Sequence, residues 1–598
     1  MTSDRTDLEV ELPGTAPLIT RLQSLLHAPQ QEDQATAETA RGWLDLAYEA
    51  AYGERYSAAA QAAEAGLEAP GGQDTENRLM LLRILSGVHE MHGDSEGARP
   101  HIAERIALLR RLGRNRQADT EEKLGGMLLR EPDRVEGDIL ARVADELREQ
   151  DHHAGLPEQG ADSPELADVL SSLAVRVMHD EGPDAALPLV EEACEILEHL
   201  DRRQALAGAR MFLAHALLLS GEPDRALITA DRVMAGPANR AVRGAMAMLR
   251  ATIHHHEDRP KKAIGNAVNS AELYAACGVR KGAASAAALL AGLTAAVDDG
   301  EASVLAWRVA VQQAELGEFP ESRMLSLALG QQLLELQRHE EAEKVLDGLS
   351  LQLAGTPEEL STRGRALMGL GHAVTQQQRP LEAMAHWQEA AGLFIEAQEP
   401  EEAARAHLAA GALAASLERD DAARSHYERG LDLAREAGEE DPMMLIQALH
   451  SLGHLLTRTE DPTGISYLEQ ALHIAGEHGS SWQVADITDS AARGYVALGE
   501  GTKAVAKALD AADLFSGAQD EESAGDAEIF AGKVLMEMDR AEEAEAIFKM
   551  AAEGREAKHE LVIESLQGRI DALMKQSKAE QAAELRRELT RLKRRMRS

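Results

Sequence analysis

A single phrase of about forty residues, repeated along most of the chain, constrains the fold more than any other feature. It is plainest between Thr356 and Gly438, where it occurs twice. Leu370-Gly371-His372-Ala373 is followed by Ala383, Trp387 and Ala390; Ala410-Gly411-Ala412 is followed by Ala423, Tyr427 and Gly430. In each copy a small anchor residue is followed twelve positions later by an alanine, then by an aromatic four further on. Small residues at such spacings let two antiparallel helices approach closely, and the aromatic fills the remaining gap.

The anchor recurs at Ala47, Ser86, Gly125, Ala174, Ala214, Ala251, Ala291, Gly330, Gly371, Gly411, Gly453, Ala492 and Gly532. A small residue stands twelve places beyond nearly every one: Ala59, Ala98, Gly137, Ala186, Ala226, Ala263, Ser303, Ala342, Ala383, Ala423, Ala504 and Ala544. The exception is Gly464, eleven beyond Gly453, which implies a turn shortened by one residue. Thirteen units in register exceed what an alanine-rich chain gives by chance. Pro164, Pro357, Pro400 and Pro442 stand where a first helix should begin, because proline suits the first helical turn. Glycines such as Gly278, Gly317, Gly438 and Gly479 mark helix ends.

The pattern resembles the tetratricopeptide repeat, in which each unit is a helix hairpin stacked on the next. The match covers about residues 36–555, with a period near forty rather than the family's usual length of about thirty-four, so the helices should be longer by about a turn. The family's signature tryptophan survives at Trp43, four before Ala47. The resemblance implies an all-α fold, a right-handed superhelical α-solenoid of about thirteen helix hairpins. Aromatics at 3% suit thin helix-on-helix layers and disfavour a large β core.

Residues 1–34 read as a mobile leader with a short amphipathic helix whose Leu18, Leu22, Leu25 and Leu26 cap the first repeat, since a solenoid end needs covering. Residues 35–150 form an N-terminal repeat block, and 151–163 a candidate hinge loop in the one irregular step. The main array then occupies 164–555. Residues 556–598 lose the anchor and end in capping helices with a basic tail, Leu585, Leu589, Leu592 and Met596 lying at helical spacing. That tail folds against the acidic solenoid, binds an anionic partner, or occupies another molecule's groove; charge complementarity within the chain favours the first. The predicted core is the anchors, their small partners, and Leu46, Leu213, Leu333, Trp387, Tyr427, Leu468 and Phe548.

Chemistry is hard to find. No phosphate-cradling GxxxxGK[ST], no GxSxG, no HExxH and no paired cysteines occur, so the expectation is no enzyme, no cofactor and no metal. His254-His255-His256 point about 100° apart on a helix and cannot share one ion. Cys194 and Cys277 read as buried small hydrophobes in a reducing compartment. No apolar run approaches eighteen residues, the N-terminus is acidic, and a net charge of −40 argues against nucleic acid as the main partner. A cytoplasmic protein is expected, and arginine-rich, lysine-poor usage points to a bacterium.

In the resembled family the first helix of each unit lines a concave groove that binds peptides. Carried onto this sequence, the contact positions hold Arg365, His372, Thr375 and Gln376 in one unit, Arg405 and Ser416 in the next, and His450, His454, Thr457 and Arg458 in the third. Arginine clamps carboxylates, so an acidic or C-terminal peptide segment is the expected ligand. The family's chaperone-binding carboxylate clamp is not supported, because its lysine and asparagine places hold Met368 and His372, Leu408 and Ala412, His450 and His454. The function expected is a non-enzymatic protein-interaction scaffold. The alternative is a regulatory sensor that changes shape or self-association on binding a short signal peptide.

Overall fold

The structure, a computed structural model, describes residues 15–27, 37–52, 55–92, 94–128, 136–153, 164–353, 355–437, 442–553 and 559–595. They form twenty-nine α-helices, numbered α1–α29 in chain order, with no strand among the described residues. The forty-residue period has a simple origin. α19 (Pro380–Glu396), α20 (Pro400–Ser416), α24 (Ser481–Ala497), α25 (Gly501–Gly517) and α26 (Glu521–Glu537) are each seventeen residues long. The loops between neighbours, such as 397–399, 417–419 and 498–500, hold three. Two such helices and two such loops make one unit.

The loops repeat one geometry. After α18 (Pro357–Gln376), Gln378 takes φ of 60°, and Arg379 N–H donates to the Val374 carbonyl at 3.0 Å. This left-handed residue with a back-reaching amide satisfies the carbonyls a helix end leaves open. Gln398, Glu418, Glu460, Gln519 and Asp539 repeat it with φ between 57° and 64°. Proline at the first helical position then restarts the chain, as at Pro380 and Pro400. At the start of α18, Thr356 caps the helix by accepting from the Glu359 amide at 3.2 Å.

Three glycine anchors meet a large side chain on the second helix of their own hairpin, a packing rule in which the missing Cβ makes room for the ring. A Cβ on Gly371 would lie 2.1 Å from Trp387 Nε1, one on Gly411 2.6 Å from the Tyr427 ring, and one on Gly532 2.7 Å from Phe548. At four alanine anchors the residue sixteen places on is also alanine, Ala63 after Ala47, Ala230 after Ala214, Ala267 after Ala251 and Ala508 after Ala492, all 0% exposed; Ala174 and Ala291 instead meet the larger Val190 and Trp307 at that place. Trp387 and Tyr427 are 4% and 6% exposed, so they are core, as the pattern predicts. Leu333, Leu468 and Phe548 are also buried, whereas Leu46 and Leu213 are half-buried on the flanks of their clusters.

Three expectations need correction. The turn before Gly464 keeps its usual length: Glu460 has the standard positive φ, and Asp461 N–H reaches the Leu456 carbonyl at 2.8 Å. What changes is the next step, where Gly464 N–H bonds the Asp461 carbonyl three residues back, advancing the helix phase and bringing Leu468 under Gly453. Second, α28 (His559–Lys575) and α29 (Ala579–Arg595) form a further hairpin in register: Ile570 holds the anchor place, and Ala582, twelve beyond it, is fully buried. An isoleucine there hid the unit in the sequence. Third, α1 (Thr15–His27) does not cap the first repeat. It packs on α13 (Pro260–Ala276) and α15 (Gly300–Leu316), the second helices of two consecutive hairpins.

The chain divides into two compact units, Met1–Gln332 and Leu333–Ser598. In the first, Arg83 Nη1 on α4 (Thr75–Met91) meets Asp168 Oδ2 on α8 (Pro164–Asp180) at 2.6 Å. Arg105 meets Glu121 at 2.7 Å. Of the candidate hinge 151–163, residues 154–163 lie outside the described residues, as do Gly438 and Met596.

Candidate functional site

Counting from the anchors places one face of the second unit in view. Six residues before each anchor, the first helices carry Arg365 on α18, Arg405 on α20, Gln447 on α22 (Pro442–Arg458), Asp486 on α24, Asp526 on α26 and Glu564 on α28. The order is a charge ladder, from two arginines through a neutral residue to three carboxylates. Neighbouring first helices are joined by other side chains. His450 Nε2 on α22 lies 2.8 Å from Ser490 Oγ on α24, the Arg493 guanidinium lies 4.6 Å over the Phe530 ring on α26, and Lys533 Nζ lies 2.5 Å from Glu564 Oε1 on α28. In the first unit the same offset holds Arg41, Met80, Asp119 and Asp168, the charged ones already paired with Asp45, Arg110 and Arg83, then the uncharged Gly208, Ala245, Ser285 and Met324.

The ladder is only partly neutralised from within, most directly at Glu564 by Lys533. Arg365 is exposed and makes no ion pair among the described residues. Among the described residues Arg405 is held only by Glu402, one turn back on its own helix, at 3.0 Å. Such an exposed pair is weak and exchangeable. At the other end burial, and then the neighbouring Asp489, raises the Asp486 carboxyl above its ordinary range. Burial, Glu564 and Glu522 do the same to Asp526. Carboxylates raised in this way are under-compensated, and an approaching cation relieves them.

The residues named from the sequence fall into three groups. Arg365, His372, Gln376, Arg405, Ser416 and His454 are exposed. Of these, His372 stands edge-on to Trp387 with ring centroids 5.2 Å apart, and the Ser416 hydroxyl donates to its own helix at Leu413 O. Half-buried Thr375 likewise donates to Gly371 O at 2.6 Å, and His450 bridges α22 to α24. Thr457 and Arg458 leave the face. Thr457 is 7% exposed and belongs to the core beside Gly464 and Gly494. Arg458 pairs with Asp420 at the start of α21 (Asp420–Ala437), while Arg424 of that helix returns to Asp461 at 3.1 Å. These crossed ion pairs stitch two hairpins together at their edge.

Asp486, Asp526 and Glu564 were missed by the sequence reading. The signal for Asp486 and Asp526 was available, because the same offset from the sequence anchors names them; Glu564 was hidden with its unit, whose anchor place holds Ile570. Among the described residues no group of three His, Cys, Asp or Glu side chains is placed to hold a metal ion. His254 is buried and bonded to Glu257 at 3.1 Å, whereas His255 and His256 are exposed. Burial pushes the Cys194 and Cys277 thiols up to about 12 and about 11, so neither is reactive near neutrality. No helix among the described residues is long and apolar enough to cross a membrane.

No protein-family model and no curated protein sequence matches the chain. Among solved structures, the apo form of RapI is 10% identical, covering 46% of this chain and 97% of its own, with a TM-score of 0.34. The apo form of the quorum sensor NprR from B. thuringiensis is 13% identical, covering 58% of this chain and 98% of its own, with a TM-score of 0.33. The Cut9–Hcn1 hetero-tetramer of the APC/C is 15% identical, covering 95% and 99%, with a TM-score of 0.31. By the hairpin register described above, this chain is an all-α repeat protein built of tetratricopeptide-like helix hairpins.

Proposed function

We propose that the protein is a non-enzymatic interaction scaffold whose second unit holds a partner segment along the first helices from α18 to α28. The observation that carries this reading is the charge ladder at a fixed offset from the anchors, with no ion pair to Arg365 or Asp526 among the described residues and only His450, at 3.8 Å, beside Asp486. The segment it fits is dipolar. Its acidic end or C-terminal carboxylate lies against Arg365 and Arg405, and its basic end lies against Asp486, Asp526 and Glu564. His372, Gln376, Ser416, His450 and His454 line the path between; His372, Gln376 and His454 offer hydrogen bonds, whereas Ser416 Oγ and His450 Nε2 are already bonded to Leu413 O and Ser490 Oγ. Thr375 contributes little, since its hydroxyl is already committed to Gly371 O.

The test uses synthetic peptides of equal length: one with an acidic block and a basic block, one uniformly acidic, one uniformly basic. The dipolar peptide should bind best. Exposed charge pairs contribute about 0.2–1 kcal/mol each, so reversing Arg365 and Arg405 to glutamate, or Asp486 and Asp526 to lysine, should weaken binding about tenfold. Reversing both ends together should restore it, because the peptide can lie the other way round. Raising salt should erase the differences. Equal binding of all three peptides, or indifference to the four substitutions, would sink the reading.

A further inference from the structure

The leader helix α1 is bound to the repeat array the way a ligand helix is bound. Its neighbours are α13 and α15, more than two hundred residues away in sequence, rather than α2 (Ala40–Tyr52), which follows it. Leu18, Leu22 and Leu25, exposed by 7%, 0% and 8%, join one apolar cluster with Val268, Ala271, Ala306, Val309 and Ala310. Arg21 is gripped as a bidentate pair, Nε to Glu272 Oε1 at 2.7 Å and Nη2 to Glu272 Oε2 at 2.6 Å. Its Nη2 also donates to Asn269 Oδ1 at 2.6 Å. At the far end Gln312 Nε2 donates to the Leu26 carbonyl at 3.1 Å, satisfying an acceptor the helix terminus leaves open.

We infer that the groove between α13 and α15 is a docking site for amphipathic helices of partner proteins, and that α1 is its tethered occupant. The chemistry of the partner is set by what α1 presents: leucines at i, i+4 and i+7 for the alanine-walled groove, and an arginine at i+3 for Glu272 and Asn269. This is recognition of a helix in a groove, with one charge fixing its register. Exchange is built in. Thirteen residues make a helix too short to persist alone, so α1 owes its order to the groove, and it is joined to α2 through residues 28–39, a polar stretch. Tethering gives α1 a high effective concentration, so an incoming helix must outcompete it, which sets a threshold on partner binding.

The experiment uses the full chain and a fluorescent peptide of residues 15–27. Leu22→Asp in the chain should free the groove, and the peptide should bind that variant at least tenfold more tightly than wild type. The Arg21→Glu peptide should bind it about tenfold more weakly, and should regain affinity when Glu272→Arg is added to the chain. Arg21→Glu in the full chain, which leaves every leucine in place, should open the groove in the same order to a smaller degree. Three results would each overturn the inference. The first is no gain in peptide binding by either opened variant. The second is indifference to the Arg21–Glu272 charge. The third is a concentration-dependent dimer of wild type lost in Glu272→Arg, which would give the groove to α1 of a second copy.

Discussion

Gly371→Ala should destabilise the protein by about 2–3 kcal/mol, a cost typical of forcing a methyl group into a packed core. In most helix interiors the same change stabilises by about 1 kcal/mol, because alanine loses less backbone entropy than glycine. The sign reverses here because the new Cβ would lie 2.1 Å from Trp387 Nε1, on a ring that is 4% exposed and donates to Met368 O at 3.0 Å. Trp387→Ala alone should cost about 3–5 kcal/mol through the cavity it leaves. In that background Gly371→Ala should become favourable, since the hairpin would then carry the alanine pair already found at Ala251 and Ala267. Urea unfolding followed by circular dichroism on the four members of this cycle measures the coupling. Additive costs would mean that anchor and aromatic are sized independently, and the packing rule would fail.

The repeat was legible because its causes are local and recur. A helix hairpin needs small residues where its axes approach, turn residues between, and proline or a cap at the restart, and Gly371, Gln378 and Pro380 supply them in order. The final hairpin was hidden because Ile570 replaces the small anchor, although Ala582 keeps its place. The destination of α1 lay beyond the sequence for a different reason. A stripe of leucines states that a helix packs, and nothing in it names a surface 251 residues away. The candidate face was half legible. Arg365 and Arg405 followed from the resemblance, but the resemblance supplied only peptide-contact positions, so the carboxylates at the same offset went unread. Arg458 was misplaced by its position at the last turn of α22, where the side chain reaches the hairpin edge and Asp420 instead of the face.

Acid should loosen the second unit before it affects most surface charge. Burial lowers the pKa of His450 to about 4, and burial, the neighbouring His426 and Arg429 lower that of His407 to about 4. Half-buried His426 shifts the same way, with burial the cause. The pairs are internal: His407 and His426 face each other with Nδ1 atoms 3.1 Å apart, and His450 is fixed on Ser490 with Asp486 at 3.8 Å. A depressed histidine is neutral in the fold and takes up a proton on unfolding between its folded value and an ordinary one near 6.5. The unfolded chain therefore binds more protons in that window. Stability is full above about pH 6.5 and declines as pH falls towards 4. With its side chain 22% exposed, His450 should account for about 2 kcal/mol of that decline. The raised carboxyl of Asp486 acts in the opposite direction, because the folded state holds its proton more tightly than the unfolded chain does. Urea unfolding of wild type and of the His407→Gln, His450→Gln variant, compared from pH 7 to 4.5, separates these residues from the general effect of carboxylate protonation, which both proteins share. The variant should show the shallower slope; parallel slopes would mean that these histidines are solvated and titrate normally, and that the face they line is more open to water than their packing indicates.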